Sequence, residues 1–137
     1  MKKQAKSSRT GFLVLEIFNG LSALAGGIGL ILNTDGKALG MDTEMLASTP
    51  FETFLIPGIV LFVVNGIGNA TGAILTLRKY KMSAYVAAFF GFVLMVWIIS
   101  QVAWIGYQSF LQPLYFATGL AQLILAYVFV VKNSTSK

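Results

Sequence analysis

The sequence predicts an all-α, polytopic membrane protein, a bundle of four transmembrane helices, and three observations carry that reading. Of 137 residues, 56% are hydrophobic and 11% charged, which is roughly half the charged share of an ordinary soluble domain. Four apolar runs, at about 11–32, 54–77, 83–106 and 113–131, each match the helix length needed to cross the hydrocarbon core of a bilayer. The charged residues cluster between and outside those runs, with Glu16 the one acid inside a run. The runs take up most of the chain, so 1–137 reads as a single four-helix transmembrane domain with one long connection at 33–53. A soluble enzyme and a secreted module are excluded.

The net charge of +5 has a topological origin. Lys2, Lys3, Lys6 and Arg9 precede the first run; Arg78, Lys79 and Lys81 separate the second and third; Lys132 and Lys137 follow the fourth; Lys37 alone lies elsewhere. Four spans place both termini on one side, and the Lys/Arg excess there marks that side as cytoplasmic. The expectation is a multi-pass protein of the cell membrane whose 33–53 connection, with Asp35, Asp42, Glu44 and Glu52, faces outward. The basic residues are thus accounted for without a nucleic-acid partner. A basic start followed by Ala23-Leu24-Ala25 imitates a cleavable signal peptide. Glu16 and Asn19 interrupt that apolar core, however, and the run continues to Leu32.

The first span ends at Asn33-Thr34-Asp35-Gly36, a turn sequence. Thr49-Pro50-Phe51-Glu52 predicts a helix start, with threonine as cap, proline at the first helical position and glutamate three residues after the cap. Pro57 then predicts either a bend, or the end of a short interfacial helix and a fresh start of span 2. Within the connection, Leu39, Met41, Met45 and Leu46 either dip into the headgroup region or belong to a surface loop. Gln112-Pro113 marks a tight outer turn that starts span 4. Trp104, Tyr107 and Tyr115 are placed for an outer aromatic belt, Tyr80 and Tyr85 for an inner one, and Trp97 lies deeper.

Glycines sit where helices pack. Gly26-Gly27-Ile28-Gly29 lies inside an apolar run and not between a strand and a helix, so it is no phosphate loop. Small residues at four-residue spacing, Ser22/Gly26, Ala25/Gly29 and Gly68/Gly72, let backbones approach closely in lipid. Asn19-Gly20-Leu21 with Gly26 is echoed by Asn65-Gly66-Ile67 with Gly72; the echo is either chance or a pair of matching seams between spans 1 and 2.

With neither cysteine nor histidine, the chain has no thiol chemistry, no ordinary zinc site and no Ser–His dyad. One intramembrane carboxylate does not run paired acid/base chemistry, so no catalytic residue, metal ligand or cofactor is expected. The intramembrane polar residues are the features that need explaining, because polar groups are costly in hydrocarbon and turn toward the bundle interior. By the rise per residue, Glu16 lies about 7 Å inside the cytoplasmic boundary, Asn19 and Asn69 about 12 Å, Gln122 about 13 Å and Asn65 about 18 Å. These five form an inner layer. It either locks the bundle by interhelical hydrogen bonds, each worth about 1 kcal/mol or less, or forms a ligand or proton site. Gln101, Trp104 and Tyr115 form an outer polar and aromatic layer. Glu16 either reaches back to Arg78 or Lys79 at the surface or turns inward to the amides; its short side chain favours the inward option.

The stretch Thr49-Pro50-Phe51-Glu52-Thr53-Phe54-Leu55-Ile56-Pro57-Gly58, followed by Asn65-Gly66-Ile67-Gly68-Asn69 and later by Gln112-Pro113-Leu114-Tyr115-Phe116, resembles a group of small four-helix bacterial membrane proteins, distantly DoxX-like and mostly uncharacterised. The resemblance implies a bacterial inner-membrane four-helix protein and carries no functional residue across. Leu15-Glu16-Ile17 in the first span looks like the essential glutamate of small multidrug transporters. The long outer loop, the absence of that family's tryptophan-glycine signature in span 3, and the one-sided charge bias all depart from that pattern.

Three function classes follow. First is an accessory or scaffold protein that binds a partner membrane protein. Second is a binder of a lipid, quinone or other apolar small molecule between the helices. Third is a small multidrug-type, proton-coupled transporter that uses Glu16. A lipid bilayer surrounds the protein in each, and a homo-oligomer is compatible with each.

Overall fold

The computed structural model describes the backbone of residues 2–37, 40–47, 49–107 and 110–135, with side chains in those ranges except at 2–5, 134 and 135. Leu39 and Lys137, named above, lie outside the described residues, as do the side chains of Lys2 and Lys3. The described chain is all-helical, and four of its helices are long and apolar enough to cross a membrane. They are α1 (Lys2–Leu32), α2 (Leu55–Leu77), α3 (Ser83–Ile105) and α4 (Leu111–Thr135). A short 3₁₀ helix, Thr43–Leu46, lies in the connection between α1 and α2.

The helices form a ring in which α1 packs on α2 and α4, and α3 packs on α4 and more sparsely on α2. The two chain termini share one end, here the terminus side. Phe12 meets Phe129 edge-on there, with ring centroids 5.7 Å apart, and Phe12, Ala84, Ala87 and Ala126 form a buried cluster. Arg78, Lys79 and Lys81 in the α2–α3 turn stand at that same end, and the acidic connection stands at the other, the loop side.

Glycines set the closest approaches. A Cβ on Gly27 would meet the Phe62 backbone at 2.8 Å, and one on Gly91 would meet the Gly119 carbonyl at 2.7 Å. Gly91 and Gly119 thus bring α3 and α4 together, a pair that four-residue spacing within one helix does not reveal. The Asn-Gly echo is a matching seam: Gly20 faces the Asn69–Ala70 backbone, Gly66 faces Leu24, Gly26 faces Leu61 and Gly72 faces Glu16. Ala25, by contrast, points outward and is exposed.

The connection corrects two expectations. No helix starts at Thr49. Its hydroxyl donates to the Leu46 carbonyl at 2.8 Å and accepts from the Phe51 N–H at 3.1 Å, so it closes the 3₁₀ helix instead of opening α2. Residues 50–54 are irregular, Glu52 is exposed, and α2 begins at Leu55. The functioning cap belongs to Asp42, whose carboxylate accepts from the Glu44 N–H at 3.0 Å. Nor does the helix break at Pro57. Proline sits in the first turn of α2, where its missing N–H removes a donor that would have no helical partner. The irregularity lies further on, as a π-helical stretch over Leu61–Ile67. Pro113 occupies the corresponding place in the first turn of α4.

The described part of the connection folds inward. Gly36 adopts a left-handed φ of 77°, and a Cβ there would strike the Phe54 ring. The Phe54 N–H donates to the Thr34 carbonyl at 2.8 Å, tying the end of the connection to its beginning. Leu30, Leu46 and Phe54 then form a second buried cluster, joined by Met41, Met45, Phe51, Leu61 and Ile105. Leu46 is thus buried against protein, and Met41 and Met45 are partly so.

Candidate functional site: an amide network below a loop-side cavity

The intramembrane polar residues do turn inward. Glu16, Asn19, Asn65, Asn69 and Gln122 are all buried, none more than 2% exposed. Gln122 of α4 is the hub. Its Nε2 donates to the Ala87 carbonyl of α3 at 2.8 Å and to Asn69 Oδ1 of α2 at 3.0 Å, and its Oε1 accepts from Asn19 Nδ2 of α1 at 3.0 Å. One side chain thereby ties its helix to the other three. Asn69 Nδ2 donates to the Asn65 carbonyl at 2.8 Å, close to where π geometry returns to α geometry and carbonyls compete for N–H donors. Thr118 Oγ1 donates to Asn19 Oδ1 at 2.8 Å.

Glu16 is not part of this network. It neither reaches Arg78 or Lys79 nor bonds an amide: its Oε1 accepts from Thr76 Oγ1 at 2.7 Å, and its Oε2 lies against Gly72 with no hydrogen-bond partner. The reason is register. α1 and α2 run antiparallel, so Gly20 stands opposite Asn69 and Glu16 stands opposite Gly72 and Thr76, a turn nearer the terminus side. Asn65 also departs from the layer. Its backbone carbonyl serves Asn69, whereas both polar atoms of its side chain are buried without a partner.

Thr76 and Thr118 are the residues sequence reasoning missed. The signal was present in their spacing: Thr76 lies seven residues beyond Asn69, and Thr118 lies four before Gln122, so each shares a helix face with a residue already singled out.

Above Asn19 the bundle opens into a cavity of about 540 Å³. Its wall includes Asn19, Ser22 and Ala23 at depth, Leu61, Leu94 and Trp97 at mid-height, and Gln101, Trp104, Gln112 and Tyr115 toward the loop. Met41, Met45, Leu46, Phe51 and Phe54 of the connection and the start of α2 close over it. No Asp, Glu, Lys or Arg lines it among the described residues. Gln101, Trp104 and Tyr115 each engage a different partner. Gln101 Oε1 accepts from Gln112 Nε2 at 3.2 Å, Trp104 meets Phe51 edge-on at 5.5 Å, and Tyr115 stacks on Phe18 of α1 at 5.8 Å. What unites the two layers is the cavity, because Asn19 and all three of these residues stand in its wall.

The cavity exists because the ring of helices is incomplete there. The loop-side part of α2, Leu55–Val60, makes no close backbone approach to α3, and the 3₁₀ helix stands against α3 in its place. The volume falls within the usual range for a site that binds a small molecule, and an apolar wall with a few placed polar groups is the usual lining. No family model matches the chain, and neither a curated protein nor a solved structure does.

Proposed function

We propose that this multi-pass membrane protein holds one uncharged, largely apolar small molecule, of the lipid or quinone kind, in its loop-side cavity, with both termini facing the cytoplasm. The observation that carries the reading is the cavity itself: about 540 Å³, walled largely by aromatic, methionine and aliphatic side chains, with no Asp, Glu, Lys or Arg in the described lining. A charged ligand would lose its hydration there without compensation, whereas an apolar one replaces contacts that the helices do not make with each other.

Two further observations favour binding over the other classes. Gly20, Gly27, Gly66, Gly91 and Gly119 each face another helix of the same chain, so these positions are not free for a partner, and of the Ala25/Gly29 pair Ala25 faces outward. Glu16 stands outside the cavity wall, paired with Thr76, whereas proton exchange against a bound substrate needs the carboxylate within the substrate's site. The outward orientation of the connection rests on the charge bias, and it would admit a ligand from the outer leaflet.

The test is native mass spectrometry of the protein released from mild detergent, beside Ala23→Phe, which places a ring in the cavity. The expected result is one small neutral molecule bound to the parent protein and none to the variant. Equal adduct patterns in both would reject the proposal.

A further inference from the structure

Resting on the reading that the cavity binds an apolar small molecule, we infer that the end of the ligand inserted deepest carries an uncharged oxygen acceptor, a carbonyl of ketone, ester or quinone type, and that Asn19 donates to it. The direction of the amide network fixes this. A backbone carbonyl only accepts, so the two carbonyls that anchor the network fix which way each amide faces. The Ala87 carbonyl at 2.8 Å requires the NH₂ of Gln122 beside it, and the Asn65 carbonyl at 2.8 Å requires the NH₂ of Asn69. Asn69 therefore presents its oxygen to Gln122, and both hydrogens of Gln122 Nε2 are committed, to Ala87 and to Asn69. The oxygen of Gln122 must then face Asn19, which makes the facing atom of Asn19 its Nδ2. Asn19 Oδ1 accepts from Thr118.

The network thus runs from two backbone carbonyls toward Asn19, whose Nδ2, like that of Asn69, has a second hydrogen with no partner among the described residues; of these two amides Asn19 alone stands in the cavity wall. An amide N–H left unpaired in an apolar wall is the costlier kind of unmet group, more so than an unused lone pair on a carbonyl. Asn19 is also the polar residue of the cavity wall furthest from the loop on α1. Ser22, nearly one turn along the same helix and in the same wall, adds a hydroxyl able to donate to the same oxygen. The deep end is therefore a donor site, matched by a neutral acceptor. It lacks the cationic or anionic side chain that a phosphate, a carboxylate or an amine would require.

Three long-chain compounds of equal length separate the alternatives: a methyl ketone, the corresponding secondary alcohol and the alkane. Their binding to the full chain in detergent is measured by competition, and the ketone carbonyl stretch is recorded by infrared difference spectroscopy. The ketone is expected to bind about five-fold more tightly than the alkane, the yield of one net hydrogen bond, with its carbonyl band shifted to lower frequency. Asn19→Leu should erase both the preference and the shift, and Ser22→Ala should reduce the preference only in part. If Asn19→Leu does not fold, the band shift in the unmodified protein decides the matter alone. Equal binding of ketone and alkane with an unshifted band, or tighter binding of the alcohol than of the ketone, would overturn the inference while leaving the cavity a binding site. Failure of all three compounds to bind would overturn the site along with it.

Discussion

On the terminus side, Phe12, Ala84, Ala87 and Ala126 close the bundle with one ring among small side chains, and level with the amide network the Gly91–Gly119 contact draws α3 and α4 together. On the loop side, the residues facing inward are Trp97, Trp104, Met41, Met45 and Phe51, and the start of α2 stands apart from α3. Small residues let helix backbones meet, and in lipid that close packing is what drives helix association. On the loop side Gly27 and Gly58 still hold α1 and α2 together, but bulky residues line the opening between α2 and α3, so that half is completed by a folded connection that leaves space beneath. The contrast teaches that one four-helix frame supports a sealed, hydrogen-bonded half and a hollow, apolar half, and that the boundary between them runs through Asn19.

The strongest way to break the contrast is Gln122→Leu. This change removes three hydrogen bonds and leaves Asn69 Oδ1 and the facing Asn19 Nδ2 hydrogen unmatched. The expected loss is about 3 kcal/mol, toward the upper end because several partners are stranded together, read by reversible unfolding in mixed micelles. Gly91→Ala attacks the same half sterically. Its Cβ would lie 2.7 Å from a backbone carbonyl, and an expected loss of about 2 kcal/mol follows from forced separation of α3 and α4.

Glu16 sharpens the contrast through a paired comparison. Glu16→Gln keeps an oxygen for Thr76 to donate to and nearly the same volume, so its stability should stay within about 1 kcal/mol of the parent. Glu16→Ala leaves a gap beside Gly72 and should cost about 2 kcal/mol. The smallest effect has the opposite sign. Asn65 holds a buried amide with neither polar atom partnered, so Asn65→Leu should raise stability by about 1 kcal/mol in the same assay. A loss as large as that of Gln122→Leu would mean that the Asn65 side chain has a partner the structure does not reveal.

Much of this was legible in the sequence. Four apolar runs gave four helices because length and hydropathy suffice for that inference. The rise per residue placed Asn19, Asn69 and Gln122 at one depth, and they do bond. Glu16 reads as a member of the same layer because its depth differs from theirs by about one turn. Side-chain reach decides at that scale, and depth alone does not resolve it. Thr49 misled for a related reason: a hydroxyl caps whichever backbone group is nearer, and the Leu46 carbonyl lay closer than a following helix. The cavity was not legible at all. It depends on where α2 and α3 diverge and on a connection whose methionines and aromatics show no period that would predict their burial.

The central claim, that the loop-side half is hollow and receives an apolar guest, has a direct optical test, because both tryptophans of the chain, Trp97 and Trp104, stand in the cavity wall. Trp104 is 47% exposed, so the measurement is made in Trp104→Phe, where Trp97 alone reports. Fluorescence is followed during titration with a brominated long-chain hydrocarbon, with and without the further change Ala23→Phe. The account predicts saturable quenching at one molecule per chain, weakened when the aromatic ring introduced by Ala23→Phe takes up the deep end of the cavity. Quenching that rises linearly without saturation, with the same slope in both proteins, would contradict it.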